Sequence, residues 1–163
     1  MSKKDLNAIL KNGFKNQNEF SEIYLNFQKR LNSLKQQFFL IAVSGGPDSL
    51  ALTALSKAYS YNNNCKIFYV LIDHKLRKNS SKEASSVKKL LKKHKINITI
   101  IKNKKKITKN IQNEARNVRY DLLKSFCKKN KIKYILTAHH LNDQVETFFI
   151  RLSRGSGIEG LSS

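Results

Sequence analysis

From Asp5 to Leu34 the apolar residues Leu6, Ile9, Leu10, Phe14, Phe20, Ile23, Tyr24, Phe27, Leu31 and Leu34 fall at mostly helical spacing, which predicts two helices or one interrupted near Gly13. The period then changes. Phe38 to Val43 is an unbroken apolar run of strand length, Leu50 to Tyr61 returns to helical spacing, and Lys66 to Asp73 is a second apolar, β-rich run. The alternation continues with a helix over Ser80–Lys95, a β-branched run over Ile96–Ile101, a helix with a polar outer face over Asn110–Asn130 and a fourth strand over Ile132–Ala138. Asn142 opens a further helix.

Strands that are apolar throughout and alternate with helices predict an α/β fold, a doubly wound parallel sheet with helices on both faces. Residues 1–37 are read as an N-terminal helical segment and 38–163 as the sheet domain. Ligands in such folds bind outside the carboxyl ends of the strands. The segments to inspect are therefore Ser44–Ser49, Asp73–Arg77 and Thr137–Glu146.

Composition adds a strong electrostatic bias. With 32 Lys and Arg against 11 Asp and Glu, the net charge is +21, which attracts polyanions and makes an RNA or DNA partner plausible. Much of the excess is lysine, and a codon-biased genome would fill solvated faces in the same way. The tract Lys102–Lys109 is read as a solvated loop, with an RNA-backbone contact as the alternative. Cys65 and Cys127 form no C-x-x-C pair, so a zinc or iron–sulfur site is not expected and both read as buried thiols. No signal-peptide pattern and no apolar run of membrane-spanning length is present, so the expected location is cytoplasmic, away from membranes.

The first strand runs into Ser44-Gly45-Gly46-Pro47-Asp48-Ser49. A strand that breaks into two glycines and a helix start turns backbone N–H groups toward an anion. Glycine permits positive φ and leaves no Cβ between backbone and ligand, and Pro47 suits the first helical turn. The lysine of a Walker loop and the G-x-G-x-x-G fingerprint are both missing. Instead Asp48 stands where phosphate charge would gather, which favours chemistry beside a pyrophosphate with a bridging divalent cation. The alternative is a polar turn with an Asp or Ser cap.

Asp73 and His74 end the second strand, where an acid can hold a ribose or simply form a turn, and Arg77 follows within reach of phosphate. His139 and His140 end the fourth strand, with Asp143 and Glu146 on one face of the next helix. That group suits helix capping, a metal site, or a seat for a cationic amine, and spacing does not separate these. Glu114, Arg116, Arg119 and Tyr120 share one helix, as a cleft-facing arginine pair or as a salt-bridged surface. Arg151, Arg154, Gly155 and Gly157 suit an ordinary glycine-terminated helix end.

In order, A-V-S-G-G-P-D-S, I-D-H-K-L-R, N-E-A-R-N-V-R-Y, T-A-H-H-L-N-D-Q-V-E-T and R-L-S-R-G-S-G-I-E-G-L resemble the N-terminal catalytic domain of tRNA(Ile)-lysidine synthetase, over about Phe38 to Leu161. The S-G-G-x-D-S loop marks the wider N-type ATP pyrophosphatase, or PP-loop, superfamily, and implies an adenine nucleotide alpha-hydrolase-like fold. The resemblance implies a ligase that uses ATP to adenylate the carbonyl oxygen at carbon 2 of the wobble cytidine of isoleucine tRNA, after which free lysine displaces AMP and is joined to carbon 2. It implies that Ser44, Gly45, Gly46, Pro47, Asp48, Ser49, Asp73, His74 and His139 bind ATP, that Asp48 lies beside Mg2+, that Arg119 stabilises charge during adenylation, and that Asp143 and Glu146 hold the lysine. Asn142 stands where the family often has a second acid. Family members continue past Leu161, so the expectation is a fragment with an incomplete sheet, lacking tRNA-binding C-terminal domains and able to bind ATP without completing lysidine formation. The rival readings are a cytidine-thiolating PP-loop enzyme and a noncatalytic basic RNA-binding module.

Overall fold

The strands pair in parallel throughout. β1 (Phe38–Val43) pairs with β2 (Lys66–Asp73) from Phe38↔Lys66 and, on its other side, with β4 (Tyr134–Leu136) from Phe39↔Tyr134. β2 pairs outward with β3 (Ile98–Lys102) from Tyr69↔Ile98, giving the order β3-β2-β1-β4. The computed structural model describes residues 8, 10–12, 18–105, 107, 108 and 110–139.

The side-chain period of two explains how the helices attach. Phe39, Ile41, Val43, Tyr69, Leu71 and Ile98 point to one face, which α2 (Pro47–Asn62) and α3 (Ser80–Lys93) cover. Leu40, Val70 and Ile135 point to the other, against Leu123 and Cys127 of α4 (Ile111–Lys129). The sheet is thus buried on both sides, as continuous apolar strands require. Helix α1 (Asn18–Ser33) adds Tyr24 and Leu31 to the α2 face, beside Phe39 and Tyr59, and Leu10 is buried in the same cluster. The helical segment read from the sequence is therefore packed onto the sheet domain.

β1 leads to β2 on one side while β4 returns to its other side. The connections diverge at the carboxyl end of β1, the place where open α/β sheets form a ligand crevice. α2 starts there. Its sheet-facing residues Ser49, Thr53 and Ser56 are small and buried, and the hydroxyls of Thr53 and Ser56 donate to carbonyls of Ser49 (2.7 Å) and Thr53 (2.9 Å) within the helix. Locally satisfied hydroxyls of this size allow the helix to lie close on the sheet without stranded polar groups.

Two expected strand starts are corrected. The branching of Ile96 and Ile132 predicts β-runs, but each instead closes the preceding helix. Lys95 and Lys131 take left-handed backbone (φ 60° and 55°), and the N–H groups of Ile96 and Ile132 donate to the carbonyls of Leu91 (3.0 Å) and Cys127 (2.9 Å). Each isoleucine shares a core cluster with the residue whose carbonyl it caps. This is the Schellman ending with its hydrophobic contact, and it delays strand entry by two residues. Helix α2 in turn begins at Pro47, earlier than Leu50, because proline suits the first helical position.

Lysine is an unusual choice for a left-handed residue, which costs about 1–2 kcal/mol relative to the right-handed form for a side chain with a Cβ. Replacing Lys131 with glycine should therefore stabilise the fold by roughly 0.5–1 kcal/mol after glycine's own entropic cost, seen as a higher urea midpoint. An unchanged or lowered midpoint would contradict strain at this helix end.

Candidate functional site

The loop after β1 is organised by one buried hydroxyl. Ser49 Oγ accepts from the N–H groups of Ser44 and Gly45, both at 3.1 Å, and donates to the carbonyl of Gly46, also at 3.1 Å. These bonds fold the loop back over the first turn of α2, whose first intrahelical bond runs from Leu50 N–H to the Gly46 carbonyl at 3.0 Å. The N–H groups of Gly46, Asp48 and Ser49 precede that bond, at the end of the helix where partial positive charge gathers. Asp48 lies in this first turn with its side chain at the surface.

The two glycines have different reasons to be there. Gly45 sits at φ +89°, and a Cβ on it would meet Val87 Cγ2 of α3 at 2.8 Å. Gly46 has φ −73° and ψ 164°, and a Cβ there would meet only Ser44 Oγ at 3.8 Å. The expectation of positive φ thus holds for Gly45 alone. Among the described residues nothing forbids a side chain at Gly46, so packing does not account for its bareness.

Asp73 is buried at the end of β2. Its carboxylate accepts from Ser81 Oγ at 2.6 Å and from the Lys75 N–H at 3.0 Å, which fixes the turn into α3. Burial works against ionisation, but the Ser81 and Ser80 hydroxyls, the Lys75 N–H and the charge of Lys102 together hold the carboxyl below its ordinary value. Both carboxylate oxygens, read from sequence as a ribose contact or a turn former, are therefore engaged within the protein, as the turn reading expects.

Beside it, a cleft of about 390 Å³ opens over the ends of β1 and β2, between α3 and α4, lined among others by Ser44, Asp73, His74, Arg77, Glu83 and Arg119. Arg119 Nε–H donates across it to His74 Nε2 at 3.4 Å. Burial, then the Arg119 charge, push the His74 imidazole below its usual range, with Asp73 opposing. A neutral imidazole that accepts at Nε2 carries its proton on Nδ1, and that buried atom has no hydrogen-bond partner among the described residues. Burial also lowers the Arg119 guanidinium, against Tyr120 and with Arg116, although an arginine keeps its charge at any working pH.

The arginine pair read from α4 separates. Arg119 lines the cleft, while Arg116 is exposed, with its guanidinium carbon 5.5 Å from the centre of the Tyr120 ring. At the end of β4, Thr137 Oγ1 lies 3.1 Å from His139 Nδ1. His140, Asn142, Asp143, Glu146, Arg151 and Arg154 lie outside the described residues. Among the described residues no group of three or more His, Cys, Asp or Glu is placed to hold a metal ion, and no helix is long and apolar enough to cross a membrane. The supposed solvated loop is corrected at Asn103, which is buried. Its amide binds the carbonyl and N–H of Lys105, each at 2.8 Å, and its own N–H donates to the Asp73 carbonyl at 2.8 Å. Ser81, Val87 and Asn103 support the site, and no motif around them marked it.

Gly45→Ala should lose about 2–4 kcal/mol of stability from backbone strain and overpacking on Val87, whereas Gly46→Ala should lose about 1 kcal/mol or less. Chemical denaturation of the two variants measures the difference, and equal losses would refute the assignment. Because His74 is depressed in the folded state, the unfolded chain binds the extra proton between the ordinary histidine value, about 6.5, and the lower folded one. Stability should then rise with pH through that window and fall as pH drops below about 6.5. His74→Gln should flatten this part of the melting temperature against pH, and an unaltered slope would show that another group governs it.

A family model described as the PP-loop domain matches residues 17–163. The chain is similar to the tRNA(Ile)-lysidine synthase of Wolbachia pipientis wMel, 43% identical over 147 residues that cover 87% of this chain and 34% of that protein. It is similar as well to the tRNA(Ile)-lysidine synthase of Orientia tsutsugamushi, 46% identical over 124 residues covering 76% of this chain and 28% of that one. The chain spans about a third of the length of these curated relatives. Among solved structures, the U34-tRNA thiolase NcsA from Methanococcus maripaludis with its [4Fe-4S] cluster superposes with a TM-score of 0.67 at 16% identity, covering 85% of this chain and 52% of that one, a likeness of fold. The match along nearly the whole length, on a parallel sheet whose first strand ends in the pinned glycine loop, makes this chain a member of the PP-loop domain family.

Proposed function

We propose that this domain performs the ATP-dependent step of lysidine formation on the wobble cytidine of an isoleucine tRNA, and does so in the cytoplasm. The observation that carries the reading is the Ser49-pinned loop with an unobstructed Gly46 beside a cleft at the strand ends. The similarity to the lysidine synthases supports the choice of substrate. In the first step the carbonyl oxygen at carbon 2 of cytidine attacks the α-phosphorus of ATP, and the bond to the bridging oxygen breaks to release pyrophosphate. An amine of lysine then forms the carbon–nitrogen bond, AMP leaves with the oxygen, and one proton passes to a base.

Each residue has a physical part in this. The loop N–H groups at the start of α2 bind phosphate oxygens through the helix end. Arg119 faces the cleft, where a fixed cation counters charge developing on the transferred phosphoryl group. His74, neutral, offers its Nδ1–H as a donor. His139 contacts nucleotide from the end of β4, and Asp143 with Glu146 seats the lysine and accepts its proton. Magnesium fits the loop, because the ion takes one or two carboxylates together with phosphate oxygens and water, and Asp48 places a carboxylate in the first turn of α2. When bound, the ion neutralises triphosphate charge.

The cysteine positions weigh against sulfur transfer by this chain's own thiols. Cys65 precedes β2 on the α2 face of the sheet, Cys127 ends α4 on the opposite face, and both lie at the amino edge, away from the cleft. Burial raises both thiols above their ordinary value, which lowers their thiolate fraction.

Pyrophosphate release that depends on both isoleucine tRNA and lysine is the direct test. Asp48→Ala should reduce it about 100-fold or more, and Gly46→Ala should weaken ATP binding with the fold retained. Asp143→Ala should keep ATP binding and raise the lysine concentration needed. Equal loss of ATP binding in the Asp48 and Asp143 variants would overturn this division of roles, and release supported by a sulfur donor in place of lysine would overturn the substrate.

A further inference from the structure

A second groove, of about 630 Å³, adjoins the cleft and has no part in the chemistry above. It runs between the turn after β2 and the segment after β3, with Lys75, Lys104 and Lys105 along it and Leu76 and Ile111 half exposed at its sides. No carboxylate lines it among the described residues, in contrast to the pocket behind it, where Lys102, Lys104 and Lys105 are accompanied by Asp121. His74 and Leu76 line both the groove and the cleft, so the two are continuous around the end of β2.

The groove is also held in shape. Lys75 has left-handed backbone (φ 55°) and donates its N–H to Asp73, while Lys105 is tied through its backbone to Asn103, whose N–H reaches the Asp73 carbonyl. Both lysine-bearing turns are thus fastened to one residue, and their three side chains are exposed. The lysines along α3 line none of these cavities, whereas Lys75, Lys104 and Lys105 meet at one groove.

We propose that this groove takes the phosphate backbone of RNA, leading the strand to the cleft. Resting on the reading of the domain as an RNA-modifying enzyme, this names where its substrate lies. Three ammonium groups at one channel suit successive phosphates, and Leu76 and Ile111 offer apolar contact to unstacked bases. A folded acidic protein is the competing polyanion. The continuity with a site that must reach a base in a single-stranded loop favours RNA.

The test compares two triple variants of the full chain, Lys75→Ala/Lys104→Ala/Lys105→Ala in the groove and Lys88→Ala/Lys89→Ala/Lys92→Ala on the exposed side of α3, which remove the same charge. Binding of a transcribed isoleucine tRNA is measured against salt, alongside melting temperature and ATP affinity. The groove variant should bind RNA about 100-fold more weakly at 0.1 M salt, with a slope of log K on log salt shallower by about 2, and with melting and ATP affinity kept. The α3 variant should stay within a few-fold of the parent. Equal weakening in both, or none in the groove variant, would overturn the proposal in favour of diffuse charge. A groove variant that loses RNA binding while the parent releases no pyrophosphate from ATP with the tRNA would leave the groove standing and remove the functional reading, and a groove variant that still binds RNA and still releases pyrophosphate would do the reverse.

Discussion

The carboxylate of Asp73 is the constraint on which the site's shape depends. It is buried at the end of β2, and its two oxygens hold the start of α3 through Ser81 and the following turn through Lys75, while its backbone carbonyl holds Asn103 at the end of β3. With its start fixed, α3 brings Val87 against Gly45, within a distance that leaves no room for a Cβ. The glycine loop is therefore wedged between α3 and the Ser49 hydroxyl. A carboxyl held below its ordinary value suits this part, because its ionised form accepts the Ser81 and Lys75 hydrogen bonds at neutral pH.

The sheet separates two environments along its strands. Its carboxyl edge gathers the loop, the cleft, Arg119 and the neutral imidazole of His74. Its amino edge holds the two thiols, one on each face, together with the Schellman ends of α3 and α4. Parallel strands produce this polarity without further instruction, since every crossover helix must begin at the reactive edge and end at the other. The helix endings with their left-handed lysines consequently lie at the edge away from the cleft.

Periodicity made the sheet and its covering helices legible, because strands buried on both faces leave an unmistakable apolar run and a change of period on either side. It misplaced Ile96 and Ile132, whose branching suits a strand but whose N–H groups complete a helix end, a role usually announced by a glycine that here is a lysine. The S-G-G-P-D-S motif marked the loop, yet the motif alone treats its members as equivalent. Only the backbone angles distinguish Gly45, required by the fold, from Gly46, bare for another reason, and only the hydrogen bonds assign Ser49 to the interior of the loop. His74 and Arg119 are 45 positions apart, so their pairing depended on tertiary structure that no local pattern encodes.

Charge shows the same limit from the other direction. A net charge of +21 fits a polyanion partner and fits a lysine-rich composition equally well, because a sum carries no geometry. What distinguishes Lys75, Lys104 and Lys105 from the lysines along α3 is that they meet at one groove. Asp73 and Asn103 fix two turns whose lysines line one groove, free of lining acids among the described residues and adjoining the cleft. Fixed cations around a shared channel raise the local potential more than the same cations spread over a solvated helix, where salt screens each over about 10 Å. The residue that shapes the reactive edge therefore also turns a diffuse excess of charge into a directed one.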